Sequence, residues 1–169
     1  MSQGATGSKM SDKSAGHGKF KPAGRRSVAR LFAVQALYEI EFSGAAAEGV
    51  IHDFRTHRLD AEQEGEKLRE ADADWFADIV RGTAKKQPEI DENIRAVLPR
   101  VESFDRLEAI LRCCLRAAGY ELLMRIDVPA LTVIDEYMSV VRAFFAASEI
   151  KLANGALDAL ARRLRPNEF

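Results

Sequence analysis

Three arginines at the start of an apolar segment are the residues of this chain best equipped for chemistry, and the chemistry they suit is phosphate recognition. They lie in Arg25-Arg26-Ser27-Val28-Ala29-Arg30-Leu31-Phe32-Ala33-Val34-Gln35-Ala36-Leu37-Tyr38. A guanidinium is flat and permanently charged, bonds phosphate oxygens in pairs and stacks on bases. On a helix turning about 100° per residue, Val28, Leu31, Phe32, Gln35, Tyr38 and Phe42 share one broad face, and Arg26, Arg30, Ala33 and Leu37 share another. Such a helix can anchor itself by one face and dock a ligand by the other. Gln35 sits among apolar neighbours, so its amide is expected to bond to another helix or to a partner; leaving it unpaired costs about 1–3 kcal/mol. Tyr38 has two readings: a stacking platform for a base if its ring reaches the surface, or a tyrosine of the core.

Catalysis has no comparable set. His17 stands in an N-terminal tail, and His52 and His57 lie about 140° apart on a helix, unlike the i,i+4 pair of a zinc helix. Cys113 and Cys114 are neighbours, which cannot easily form an unstrained disulfide; they read as small buried residues of a reducing compartment. Neither of the phosphate-loop patterns G-x-x-x-x-G-K-[ST] and G-x-G-x-x-G is present, nor is a nucleophile elbow G-x-S-x-G. The carboxylates fall at helix starts, as Asp72 and Asp74 do, or in i,i+4 pairs such as Glu108–Arg112 and Glu121–Arg125. The pattern is that of a binding protein, with no enzyme activity, metal or cofactor expected.

The elements that must position these residues are helices. Helix one runs from Arg25 to Phe42 and stops at Ser43-Gly44. Residues 46–60 read as a second helix, and an acidic connector follows over 61–70. Asp72 and Asp74 open a helix carrying Trp75, Phe76, Ile79 and Val80, which Pro88 is expected to break or kink before a continuation holding Ile90 and Ile94. A long helix is expected from Asp105 to about Ile126. Pro129 sits at the first turn of the next, and the last bears Ile150, Ala153, Leu157, Leu160 and Leu164. Asn154-Gly155 resembles a hairpin turn, but its flanks have helical spacing. Both residues are therefore placed inside the helix, with Asn154 on the buried stripe and Gly155 admitting the close approach of another segment. No segment alternates as a strand does, so the fold is all-α with roughly seven helices.

Charge is unevenly spread. Residues 1–30 hold seven lysines and arginines against Asp12 alone, a net +6, and the chain's total of −1 leaves −7 for the remainder. A basic arm on an acidic body suits a polyanion at one end. Residues 1–22 are rich in glycine, serine and lysine and are expected to be a flexible, disordered tail ahead of a domain spanning 23–169. No apolar run is long enough to span a membrane, and the N-terminus lacks the core of a signal peptide, so a cytoplasmic location is expected.

Five segments, in order, resemble one family. The opening Arg25-Arg26-x-x-Ala29-Arg30-x-x-Ala33-Val34-Gln35-Ala36-Leu37-Tyr38 is followed by Phe76-x-x-x-Val80-x-Gly82 with Ile90-Asp91-x-x-Ile94, then Leu115-Arg116-x-x-x-Tyr120-Glu121-Leu122-Leu123. Asp127-Val128-Pro129 with Ile134-x-Glu136 and Asn154-Gly155-x-Leu157-Asp158 complete the set. Together they resemble the bacterial transcription antitermination factor NusB, and residues 105–166 are most like alphaproteobacterial members. The resemblance implies an all-helical fold of two small packed subdomains. It implies a factor that pairs with the ribosomal protein NusE, binds the single-stranded boxA element of nascent RNA and acts in the RNA polymerase antitermination complex, notably on ribosomal RNA operons. When free it would be a monomer or a homodimer. By the same resemblance RNA would contact Arg25, Arg26, Arg30, Gln35, Tyr38, Asn154 and Gly155, and NusE would contact the helix holding Glu108, Leu111, Arg112 and Leu115.

The chain departs from the family pattern in three places. Leu152-Ala153 stands where Phe-Val usually precedes Asn154-Gly155, a glycine is missing after Phe144-Phe145, and the arm before Arg25 is long. The alternative function is a helical scaffold for a ribosomal protein that touches RNA only indirectly. The family also resembles the RNA-binding part of some ribosomal RNA cytosine methyltransferases, but 169 residues leave no room for that catalytic domain.

Overall fold

The computed structural model describes residues 24–59, 71–101 and 103–169. Among these it holds seven α-helices: α1 (Arg25–Ser43), α2 (Ala47–His57), α3 (Ala73–Val97), α4 (Ser103–Arg106), α5 (Ala109–Met124), α6 (Ala130–Phe144) and α7 (Ala147–Leu164), closed by a 3-10 turn at Pro166–Glu168. The all-α expectation holds. The N-terminal arm (1–22) and the acidic connector (61–70) lie outside the described residues.

The centre of the fold is α5, whose apolar sequence is buried on nearly every side: it packs against α1 and α3 on one flank and α6 and α7 on the other. Two small helical groups thus share one continuous core. Ion pairs fix the helix directions. Arg30–Glu121 and Glu41–Arg112 set α1 antiparallel to α5, and Asp78–Arg125 with Asp91–Arg116 do the same for α3. The rings of Phe32, Phe54 and Phe76 meet in series, with centroids 6.4 and 5.5 Å apart, and join α1, α2 and α3. Two glycines let α3 and α5 close together. A Cβ on Gly119 would stand 2.9 Å from Ile90, and one on Gly82 only 2.2 Å from the Tyr120 ring.

Several boundaries have clear causes. Gly44 ends α1 in the left-handed conformation at φ 70°. Asp72 caps α3, its carboxylate accepting the Trp75 N–H at 3.0 Å. Pro88 does not break α3, which runs through it for 25 residues. Pro88 itself is exposed, while Ile90, Ile94 and the Asp91–Arg116 pair hold the far half in place. The helix expected from Asp105 is instead two. Phe104 is buried, Glu108 is extended, and Arg112 donates to the Leu107 carbonyl at 2.9 Å, so the chain turns between α4 and α5. Pro129 occupies the cap of α6 rather than its first turn. Neither expected i,i+4 pair forms: Arg112 turns to Glu41, and Arg125 to Asp78 and Asp127.

Candidate nucleic-acid interface

The arginines at the start of α1 divide by burial. Arg30 is 3% exposed. Its Nε and Nη2 donate to the two carboxylate oxygens of Glu121, each at 2.9 Å, and Tyr137 donates its hydroxyl to the same carboxylate at 2.5 Å. Ser27 and Glu136 close the network from the side, Ser27 donating to Glu136 at 2.9 Å. Burial works against the Arg30 charge, but Glu121's hydrogen bonds and charge outweigh it and hold the pKa above its usual value. Burial, with the charge of Glu121, pushes the Tyr137 phenol well above its usual value. The expectation that Arg30 contacts RNA is therefore corrected: its donors are occupied inside the protein, where the helix packs on every side. The reason lies in α1 itself, whose residues Ser27 to Val34 are all buried, so its first half has no free face.

Arg25 and Arg26 are exposed. The Arg26 guanidinium lies 3.8 Å over the Trp75 ring and 3.9 Å from Asp72. Arg125, from the end of α5, lies 4.2 Å over the same ring and pairs with Asp78 and Asp127. Nothing in the sequence beyond Trp75's place in the first turn of α3 signals this meeting. A cation over an indole gains about 0.5–1 kcal/mol at an exposed site.

At the far end of α1, Tyr38 is 36% exposed and Phe42 82% exposed, and their rings lie near parallel with centroids 6.0 Å apart. The Tyr38 ring reaches the surface, so it is not a tyrosine of the core. Phe42, placed by periodicity on the anchoring face, is a second exposed ring, and the i,i+4 spacing of two aromatics was the available signal. With Glu41, Ala109 and Arg112 these rings border a groove of about 430 Å³. Gln35 is half-buried on the same side of the helix, and its amide has no bonding partner among the described residues, so of the two expected bonds the one to another helix is not made. Arg26 lies about 180° round the helix from Gln35, so the arginine end and the aromatic end face different ways.

The expected protein-partner set also divides. Glu108 is exposed and Arg112 reaches the surface while pairing with Glu41. Leu111 and Leu115, each 1% exposed, are core residues and cannot touch a partner. They face the apolar interior because α5 is central rather than peripheral. Below them Arg116 donates to both oxygens of Asp91, at 2.8 and 3.0 Å. Cys113 and Cys114 are free and buried; burial, reinforced by Glu41, pushes the Cys113 thiol up to about 12.

Asn154 and Gly155 lie inside α7 as expected, but both are exposed. Asn154 is not on the buried stripe, whose members include the small Ala156, about 160° round the helix from it. Space around Gly155 is open, with no atom within 4 Å of an added Cβ, so no close approach explains it here. It borders an apolar groove of about 410 Å³ with Leu98, Pro99, Lys151 and Leu152. That groove is at the C-terminal end of α3, and Arg26 is at its N-terminal end; from Trp75 to Val97 the helix rises about 33 Å. The seven expected RNA contacts do not form one patch. No cluster of three or more His, Cys, Asp or Glu side chains that could hold a metal exists among the described residues, and none of the helices there is long and apolar enough to cross a membrane.

The NusB family model matches residues 27–162. The transcription antitermination protein NusB of Caulobacter vibrioides is 48% identical over 140 residues, covering 83% of this chain and 94% of that protein. The corresponding protein of Maricaulis maris is 46% identical over 144 residues, covering 85% and 90%. The chain belongs to the NusB family. Among solved structures, NusB of T. maritima superposes with a TM-score of 0.69 at 27% identity, over 86% of this chain and 96% of that one. A structure of the antitermination factors NusB and NusE in complex with dsRNA reaches 0.68 at 21% identity, over 82% and 97%, a likeness of fold alone. The NusB-like motifs can be placed on the fold. Arg30, Asp91, Arg116 and Glu121 are its buried ion pairs, and Gly82 makes room for Tyr120, whose hydroxyl donates to Asp78 at 3.0 Å. Much of what makes the sequence look like NusB is scaffold.

Proposed function

We propose that this chain binds single-stranded boxA-type RNA together with the ribosomal protein NusE and helps RNA polymerase read through terminators, especially in ribosomal RNA operons. Its work is binding and not catalysis, and its place is the cytoplasm, with the nascent transcript. Family membership carries this reading, and the structure of NusB with NusE and dsRNA supports the partner class. On this chain the RNA contacts are Arg25 and Arg26 for phosphate and Tyr38 for a base, with Gln35 beside it and Asn154 and Gly155 reached by an extended strand. Arg30 acts from inside by holding α1 to α5. NusE meets the surface of Glu108 and Arg112, beside the Tyr38–Phe42 groove.

The alternative of a scaffold that meets RNA only through the ribosomal protein is separated by titrating labelled boxA RNA with and without purified NusE. Binding that depends on Arg25 and Arg26 in either arm supports direct contact. Binding that needs NusE and ignores both arginines supports the scaffold.

A further inference from the structure

We propose that Trp75 is the positioning residue for the RNA-facing end of α1: its buried ring holds Arg26 where a phosphate can reach it. This rests on the RNA-binding reading above. Arg26 and Arg125 converge on Trp75 from different helices, at 3.8 and 4.2 Å from the ring centre, while the ring itself is only 3% exposed. Their pairing differs. Arg125 is anchored by Asp78 and Asp127, each at 3.2 Å. Arg26 has Asp72 at 3.9 Å, beyond hydrogen-bond reach, and half of its side chain is exposed.

Asp72 does not depend on Arg26, because its other carboxylate oxygen caps α3 through the Trp75 N–H. A phosphate can therefore take up the Arg26 charge without stranding a carboxylate. What orders the long side chain in the meantime is the ring. An arginine free to explore its rotamers loses that freedom on binding, and one already stacked loses less. The indole N–H supports the same assignment. Nε1 is buried with no partner. A phenyl ring would avoid that cost, but an indole offers a cation the stronger face.

The test titrates labelled boxA RNA, with NusE present, into the full chain and five variants. Arg26→Lys keeps the surface charge but lacks the stacking plane, and it should weaken binding about threefold, most of the roughly fivefold loss from Arg26→Ala. Trp75→Leu should match Arg26→Ala, Trp75→Phe should fall between Trp75→Leu and the unaltered chain, and Trp75→Leu with Arg26→Ala should be no weaker than either alone. Full affinity in Arg26→Lys shows that bare charge suffices and overturns the role, and this arm decides even if Trp75→Leu does not fold. Full affinity in folded Trp75→Leu, or multiplying losses in the double variant, overturns it too. If the unaltered chain binds no RNA, the functional reading itself fails and the role with it. Trp75 is the chain's single tryptophan, so its emission gives a readout independent of RNA. Arg26→Ala should shift that emission, and an unmoved spectrum refutes the stack alone.

Discussion

Replacing Arg30 with methionine separates the two jobs that the α1 arginines could do. The change keeps length and apolar bulk but removes the cation. Glu121, with no exposed surface, is left with only the Tyr137 hydroxyl as a donor from this network. Breaking one side of a buried pair costs about 3–5 kcal/mol, a large share of the roughly 5–15 kcal/mol that holds a domain together. For a chain of this size that lowers Tm by about 6–20 °C. Arg30→Met combined with Glu121→Leu removes both members of the buried pair; Glu136 loses the Arg30 charge but keeps its Ser27 hydrogen bond, and the Tyr137 hydroxyl is left unpaired, a cost of about 1–3 kcal/mol. The double variant should therefore be more stable than Arg30→Met alone. Urea unfolding followed by circular dichroism gives the energies, and RNA titration below the transition gives affinity, which should stay close to that of the unaltered chain. If Arg30→Met shifts stability by less than about 1 kcal/mol and costs RNA affinity as Arg26→Ala does, Arg30 is a ligand contact and the buried-pair account is wrong.

Gly155→Ala should stabilise α7 by up to about 1 kcal/mol, since the position is helical and open; lower RNA affinity in that stabilised variant would mark a backbone approached by the strand. Gly82→Ala should destabilise by about 1–3 kcal/mol, because the new Cβ meets a buried, hydrogen-bonded ring; unfolding midpoints in urea check it, and an unchanged midpoint refutes the close contact. The Tyr120 phenol is pushed up to about 12 by burial first and the Asp78 charge second. A raised acid loses its proton in the unfolded chain first, so this contribution is complete below pH about 10 and is lost as pH rises towards about 12. Tyr120→Phe should flatten that part of the alkaline stability curve, and an equally steep curve would remove Tyr120 as its cause.

Helix content was legible because large apolar residues recur at helical spacing, and Gly44 and Asp72 mark their ends by local chemistry. What misled was context that spacing does not carry. Pro88 was expected to break or kink the helix; α3 is not broken there, with packing on both sides of an exposed proline. Glu121 looked like a surface partner for Arg125, but α5 is central, so the carboxylate faces Arg30 across the core. A small residue hid the true phase of α7: Ala156 counts little by size, but it is buried about 160° round the helix from Asn154, which stands outside. Of the candidate site, the arginine end was legible as charge at an apolar border. The Trp75 platform was not, because it unites residues 26, 75 and 125 from three helices.

The salt dependence of boxA RNA binding, with NusE present, shows whether Arg25 and Arg26 hold the RNA when the unaltered chain is set against Arg25→Ala with Arg26→Ala. Loss of two phosphate contacts to a single strand should lower the magnitude of the log–log slope by about 1.4 and weaken binding several-fold near 0.1 M salt. Stability should fall by only about 0.5–1 kcal/mol, since the Arg26 contacts lie at the surface. A folded double variant with the same affinity and the same slope would place RNA recognition elsewhere on the molecule or on its partner.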